Sequence, residues 1–590
     1  MPVLTIDGRQ IEVPDGTSVL EACRQAGAHI PTLCYLEGFA PTGACRLCLV
    51  EIEGARTLVA SCAQPATEGM VVKTNSPRAR RARRAVLELL LSEHDGDCYA
   101  CVRSGDCELR ELAAAMGVDV ITYPGERAKK LVDESTPALV RDTGKCVSCR
   151  RCVTVCSQVQ GVTAIFPQYR GFDTVIGPAF ASELSDVVCV QCGQCAAVCP
   201  VGAIVEKSAI YEVWEALENP AKHVVVQTAP AIRAALGEEF GYEPGTRVTG
   251  KMVSALRRLG FDAVFDTNFA ADLTIVEEGN ELLSRLKKAL VEGKPVALPM
   301  FTSCSPGWIK YMEHFNPDML ANLSTCKSPQ QMFGAVAKTY YAEKLGKRPE
   351  DIIVVSVMPC TAKKFEAQRP EMGRGGVPDV DYVLTTRELA RMIKMAGIDF
   401  RSLPDDKMDR PLGLSTGAAD IFAVTGGVME AALRTAYEVV TGKPFPFPNL
   451  HVTPIVGLEG VKEASVTIED TLPEWSFLEG VTLNVAVAHG LGNAQKVIDR
   501  IRSGQAAYHF VEVMTCPGGC IGGAGQPRFT DDRVRLARIR AIYEEDESKE
   551  LRKSHENPDI KALYEEFLGE PLGHKSHELL HTSYTPRERV

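Results

Sequence analysis

Apolar and polar positions alternate through VLTIDGRQIEV at residues 3–13, and an Asp-Gly pair interrupts the alternation, the pattern of two short strands joined by a tight hairpin turn. A helix is predicted next, from Ser18 to Ala26. The run AVLELLLSEH, ending at His94, is helical in character. From about Lys222 the texture changes: VVVQTAPAIR, VSALRRLGFDAVFD, ELLSRLKKAL, PVALPMF, DIIVVSVMPC and DYVLTTRELARMI alternate strand-like with helix-like patterns. Such alternation indicates an α/β unit with largely parallel sheets, whose binding residues sit on loops at strand ends. The last segment, about 530–590, reads as short amphipathic helices such as NPDIKALYEEFLG. No stretch approaches the roughly 18 uninterrupted apolar residues of a membrane span, and MPVLTIDGRQIEVPDG lacks the layout of a signal peptide, so a cytoplasmic protein is expected.

At 590 residues, 45% hydrophobic and 24% charged, the chain is long enough for several ordinary globular domains, which excludes wholesale disorder and a fibrous architecture. A formal charge of -11 with both signs interspersed argues against a nucleic-acid surface. The exception is RARRARR at 78–84, behind Pro77 at the head of a helix. It reads as a solvated helix face, with a docking patch for an acidic electron-transfer partner as the alternative. Cysteine changes the picture most. There are 21, an odd number, and a reducing cytoplasm keeps thiols reduced, so metal ligation explains them better than disulfides. Sixteen precede residue 200, none lies between 200 and 303, and five run from Cys304 to Cys520, which divides the chain into a cysteine-dense front and a larger rear domain.

In the front half Cys34, Cys45, Cys48 and Cys62 follow the order C-x10-C-x2-C-x13-C, with Gly43 and small residues around the first three. Four thiolates on a Gly-rich loop and one distant strand suit a [2Fe–2S] cluster; a zinc site is the alternative, but its usual second C-x2-C is missing. His94, Cys98, Cys101 and Cys107 come next as H-x3-C-x2-C-x5-C, a set able to hold zinc or a [4Fe–4S] cluster. Two copies of C-x2-C-x2-C-x3-C then appear, at Cys146, Cys149, Cys152 and Cys156 and at Cys189, Cys192, Cys195 and Cys199, the second followed by Pro200. This is the two-cluster ferredoxin run, in which each fourth cysteine ligates the other cluster, so Cys199 joins the first three and Cys156 joins Cys189, Cys192 and Cys195. The insert from Ser157 to Val188 only requires that the two loops meet in space. Cys23, on the first predicted helix, reads as a small buried hydrophobe. Clusters in series make a conductor of single electrons, which needs a source and a sink.

The rear cysteines fall on loops after strand-like runs: Cys304 in FTSCSPGW, Cys360 in MPCTAKKFE, and Cys516 with Cys520 in EVMTCPGGCIGG. TSCSPGW (302–308), MPCTAKKFE (358–366) and EVMTCPGGCIGG (512–523) resemble the three H-cluster signatures of the [FeFe]-hydrogenases, and the resemblance continues through SPQQMFG, TTRELARMIK and TGGVMEAALR. It covers essentially the whole chain and looks most like catalytic subunits of multimeric NAD(P)-linked hydrogenases, including electron-bifurcating ones. The fold it implies is multidomain α+β and α/β, ferredoxin-like iron–sulfur domains followed by a two-lobed α/β H-cluster domain. Its expected divisions are 1–78, a β-grasp [2Fe–2S] domain; 79–136, the His/Cys3 [4Fe–4S] domain; 137–210, the two-[4Fe–4S] ferredoxin domain; 211–530, the H-cluster domain; and 531–590, a small-subunit-like helical segment.

The resemblance further implies one [2Fe–2S] and three accessory [4Fe–4S] clusters, plus an H-cluster: a [4Fe–4S] cubane joined by a cysteine thiolate to a diiron unit with CO, cyanide and an azadithiolate bridge. Cys520 matches the bridging cysteine, and Cys516 and Cys360 match further cubane ligands. The family's first motif has two adjacent cysteines, proton donor then ligand; here Cys304 holds the first place and Ser305 the second. The fourth cubane ligand is therefore open among Ser305, a rearranged Cys304, and Cys326 in LSTCKSPQQ, and Cys326 is expected within reach of the cubane, with an inert buried cysteine as the alternative. Glu278, Ser324 and Glu281 match the family's proton path from Cys304 to the surface; two carboxylates three apart on a helix otherwise mean a solvated acidic face. Lys363 matches the lysine that donates to a cyanide, Met358 and Met514 pack against the diiron unit, and Pro230 and Gln330 match pocket positions. The reaction implied is 2H⁺ + 2e⁻ ⇌ H₂, with electrons exchanged through flavin/NAD(P)-binding and small [2Fe–2S] partner subunits or ferredoxin, since the chain has no glycine pattern of a dinucleotide loop. The competing readings are an electron-relay subunit resembling the large subunit of NADH dehydrogenase, which needs no rear cysteine motifs, and an assembly protein lacking the diiron unit, against which Lys363, Met358 and the glutamate pair speak.

Overall fold

In the computed structural model, which describes residues 1–123, 127, 130–445 and 459–589, Val3–Ile6 pairs antiparallel with Arg9–Glu12. Asp7 and Gly8 both take positive φ, 47° and 85°, the left-handed turn that matches the twist of paired strands. Val71–Lys73 adds parallel to the first strand, and Leu49–Ile52 and Val59–Ala60 complete a five-stranded sheet. The helix Val19–Gln25 starts at a capping box in which Ser18 and Glu21 satisfy each other's backbone N–H groups, and its Leu20 and Cys23 join Leu4, Ile6, Val50 and Val72 in the core.

Leu139–Asp142 pairs antiparallel with Ile204–Glu206, so the two ends of the double cysteine run are tied together. Inside it, the short helices Arg151–Thr154 and Gln194–Ala197 start within the two motif copies, and the insert folds as a hairpin of Phe166–Gln168 with Val175–Gly177.

The rear domain has two lobes. The first is a parallel sheet in the order Ala263–Asp266, His223–Thr228, Ile352–Met358, Tyr382–Thr385. The second runs Met300–Phe301, Phe510–Met514, Thr482–His489 in parallel, with Val461–Thr467 as an antiparallel edge. The helix Thr267–Leu290 lies between them: Phe269, Ala270 and Leu273 enter the first core, and Ala271, Ile275, Leu282, Leu283 and Leu286 the second. The double-cysteine segment shares a third core with the second lobe, where Leu139, Val162 and Ile165 meet Trp308, Met312, Leu491 and Val513.

The C-terminal segment differs from the short helices expected of it, because its first helix, Asp532–Ser548, runs 17 residues. Among the described residues no helix is long and apolar enough to cross a membrane.

Candidate functional site

The carboxyl ends of strands from both lobes open into one cavity. The residues that follow them, Pro230, Cys304 with Ser305, Pro359 with Cys360, and Thr515, Cys516, Gly519 and Cys520, line it together with Gln330, Lys363, Met358 and Met514. The walls leave about 740 Å³ free of protein atoms, mouth included. Crossing strand ends are where α/β folds place their ligands, because side chains there are rigidly held yet free of the sheet. Glycine permits the close approach of the loop after Phe510–Met514. Gly519 has φ +91° and a Cβ there would sit 2.6 Å from Thr425 N, while one on Gly523 would collide with Pro359 O.

Cys360, Cys516 and Cys520 act on one another electrostatically, and burial raises all three thiols, Cys520 to about 12. Three mutually adjacent thiols in an otherwise apolar wall are poor surroundings for free thiolates and good ones for a metal that would share their charge. Gln330 Oε1 is buried there without a hydrogen-bond partner, while its Nε2 donates to Glu366 Oε2 at 3.1 Å. Lys363 Nζ donates to Cys304 O at 3.0 Å and to Glu366 Oε2 at 2.8 Å. These donors and thiols fit an iron–sulfur group.

Adjacent residues of the first motif face different neighbours. Cys304, its thiol raised by burial, lies under the influence of Glu278, Lys363 and Cys520. Ser305 Oγ is 2.7 Å from Thr515 Oγ1 and accepts from Thr515 N at 3.3 Å, next to Cys516.

Cys326 does not line the cavity, which corrects the expectation that it lies within reach of a cubane there. Its carbonyl accepts from Ser303 Oγ at 2.7 Å, behind the first motif, and its fully buried thiol turns the other way, 3.9 Å from Glu281 Oε2 and beside His581. Ser305 and Cys304 remain as the cavity's candidates for a fourth ligand.

Glu278 and Glu281 are not a solvated face: both are buried, Glu278 beside Leu483, Val485 and Phe510 of the second lobe and Glu281 against Ser324 and Thr325. Glu281 Oε2 accepts from Ser324 Oγ at 2.8 Å, and its Oε1 takes Arg285 Nη2 at 2.7 Å. Glu278 Oε1 has no hydrogen-bond partner, and burial together with the Glu281 charge pushes its carboxyl up to about 8. Cys304, Glu278, Ser324, Glu281 and the half-buried Arg285 thus follow one another from cavity toward surface. Arg285 and Glu366 were missed by sequence reasoning, although each sits one helical turn from a named residue, Glu281 and Lys363.

In the front half the sulfurs of Cys48 and Cys62 lie 3.4 Å apart and Cys34 contacts both Cys45 and Cys62. His94 ends the helix Pro77–Glu93 with its ring buried and Nδ1 without a partner, an arrangement that suits a metal ligand, and Cys98, Cys101 and Cys107 follow half-buried. Cys146, Cys149, Cys152 and Cys199 line a second cavity of about 410 Å³, and Cys195 lies within electrostatic range of Cys189 and Cys156. Cys192 lies within electrostatic range of Cys516. There Thr361 Oγ1 donates to Gln191 O at 3.0 Å and Gln194 Nε2 to Gly522 O at 3.3 Å, so the second motif copy rests directly on the rear cavity.

Comparison with known proteins agrees with this layout. Residues 222–524 match the family model "Iron only hydrogenase large subunit, C-terminal domain", and 532–587 match "Iron hydrogenase small subunit". Residues 3–77 match a 2Fe-2S iron-sulfur cluster binding domain, 83–122 the NADH-ubiquinone oxidoreductase-G iron-sulfur binding region, and 145–203 a 4Fe-4S dicluster domain. The chain is 54% identical to the NADP-reducing hydrogenase subunit HndD of Solidesulfovibrio fructosivorans, across 100% of both chains. It is 39% identical to iron hydrogenase 1 of Clostridium pasteurianum, across 99% of this chain and 100% of that one. Among solved structures, the apo [FeFe]-hydrogenase HydA1 from Chlamydomonas reinhardtii is 46% identical, covers 64% of this chain and 99% of its own, and superposes with a TM-score of 0.58.

Proposed function

The chain belongs to the iron-only hydrogenase family, and from that premise we propose how its residues divide the work of 2H⁺ + 2e⁻ ⇌ H₂. The observation that carries the proposal is the convergence on one cavity of three thiols, a cysteine backed by buried carboxylates, and the second ferredoxin motif. Cys360, Cys516 and Cys520 would hold the cubane, with Ser305 or Cys304 at its fourth iron, and Cys520 would be the thiolate shared with the diiron unit. When bound, this group supplies the making and breaking of the H–H bond.

The rest falls to the chain. Cys304 exchanges protons at the cavity wall, and Glu278, Ser324 and Glu281 carry them onward as acid, hydroxyl and base toward Arg285. Lys363, fixed between Glu366 and the Cys304 carbonyl, keeps a donor on the wall; Met358, Met514, Pro230 and Gln330 shape it and exclude water. The second motif copy, held against the cavity by Thr361 and Gln194, would hold with the first the two [4Fe–4S] clusters that relay electrons toward the His94 site and the [2Fe–2S] site.

We divide the chain after residues 78, 136, 210 and 530 and place it in the cytoplasm, where its thiols stay reduced. The outer electron partner is a subunit that binds flavin and NAD(P), assisted by a small [2Fe–2S] subunit, with ferredoxin as a second acceptor. The likeness to an NADP-reducing hydrogenase subunit supports that reading. Infrared spectra of the matured protein test the site: CO and cyanide bands are expected, and Cys304→Ala should keep them while turnover falls by roughly 10²–10⁴. Loss of the cubane signal in that variant would make Cys304 a ligand.

A further inference from the structure

The arginine run 78–84 has no task in the reaction. It occupies the start of the helix Pro77–Glu93, whose first turn carries no acidic residue. Arg78 and Arg80, in that first turn, stand at the positive end of the helix dipole, and five arginines within seven residues repel one another, so the placement is unfavourable unless negative charge lies close by. Four of the five are exposed: Arg78, Arg80, Arg81 and Arg84. Arg78 donates to Arg56 O, Arg80 to Asn75, and Arg84 to Glu88 and Gly117 O.

Arg83 is different. Ala79, Arg83 and Leu87 form the buried stripe of the helix at i, i+4 spacing, so this arginine points inward where an apolar side chain is the norm. It is only 7% exposed. Its Nε donates to Leu49 O at 2.8 Å, one residue beyond Cys48, and its Nη2 is buried without a hydrogen-bond partner. The groups whose charge reaches it are Cys48 first, then Cys23 and Asp7. A buried guanidinium with a spare N–H is costly unless a negative group faces it. Four cluster-bound thiolates would be that group.

We propose that Arg83 is the counter-charge of the N-terminal [2Fe–2S] site, set against its Cys48 side so that the site is easier to reduce. The inference rests on the reading of Cys34, Cys45, Cys48 and Cys62 as that cluster's ligands. One-electron reduction adds a negative charge to the cluster and breaks no bond, and a fixed cation beside it stabilises the reduced form; net charge and hydrogen bonds at the sulfurs are the protein's main levers on such potentials.

Redox titration of the full-length, cluster-loaded protein, followed by the electron paramagnetic resonance signal of the reduced [2Fe–2S] centre, tests this. Arg83→Gln should move the midpoint negative by about 59 mV, a tenfold change in a one-electron equilibrium. Arg83→Lys, which keeps the charge, and Arg81→Gln, which changes an exposed arginine, should both stay at the native potential. An unshifted Arg83→Gln protein overturns the proposal. If that protein holds no [2Fe–2S] centre, the lysine variant decides: a centre retained at the native potential supports the counter-charge, and a centre lost from both makes Arg83 a packing residue. Absence of the [2Fe–2S] signal from the unaltered protein, with its other clusters present, overturns the reading of the four cysteines and the proposal with it.

Discussion

In the proposed proton route, Glu278 is the residue whose burial sets the pH range. Burial, reinforced by Glu281, raises its carboxyl to about 8, so it is neutral below that pH and a carboxylate above it. Only the neutral form can give a proton to Cys304. H₂ production should therefore fall as pH rises through about 8, measured as gas evolved at saturating reductant. Glu278→Gln, which keeps the shape but has no proton to pass, should lose roughly a hundredfold in turnover while the infrared bands of the diiron unit persist. An unchanged pH profile in that variant would remove Glu278 from the route. The pair of glutamates was legible as a motif, but its spacing alone means a wet helix face; the second lobe packed over Glu278, and Ser324 and Thr325 over Glu281, take both acids out of water.

At the scale of elements, the contact between the second ferredoxin motif and the rear cavity depends on a residue with no side chain. Gly193 has φ +71°, and a Cβ there would collide with Thr361 Oγ1, next to Cys360. Gly193→Ala should cost about 1–2 kcal/mol from the left-handed backbone alone, read from thermal unfolding. It should also slow H₂ oxidation with a protein acceptor severalfold, since the loops must part. The helix Pro77–Glu93 makes the complementary point. The sequence reads its basic run as a solvated helix face, or alternatively as a docking patch, yet Arg83 stands in the buried stripe with Ala79 and Leu87.

Across the whole molecule the electron chain and the C-terminal segment each hold distant parts together. Cys195→Ala should abolish turnover with a protein donor and leave the infrared bands nearly intact; full activity would break the assigned chain. Arg538, on the helix Asp532–Ser548, is fully buried and donates to Ile521 O at 2.7 Å and to both carboxylate oxygens of Glu238 at 2.7 and 2.6 Å. It thereby joins the cavity loop after Cys520 to the first lobe. Arg538→Met strands Glu238 and should cost about 3 kcal/mol, seen by calorimetry as a lower Tm of the loaded protein. An unaltered Tm would show that the segment only covers the lobes.

The sequence by itself determined the cysteine sets, the hairpin at Asp7-Gly8 and the strand–helix alternation of the rear domain, because each depends on spacing within a few residues and so on local geometry. What only the tertiary structure decided is which way particular side chains face. Cys326 was expected to compensate for the serine at 305, but its backbone is held by Ser303 and Tyr584, and it bridges to His581 more than 250 residues away, which turns its sulfur toward Glu281. Arg83 is turned inward by a strand 34 residues upstream, and Glu278 is dried by a lobe whose strands begin as far away as Phe510. A side chain's direction is set by what packs against its backbone, and no local pattern records partners so far along the chain.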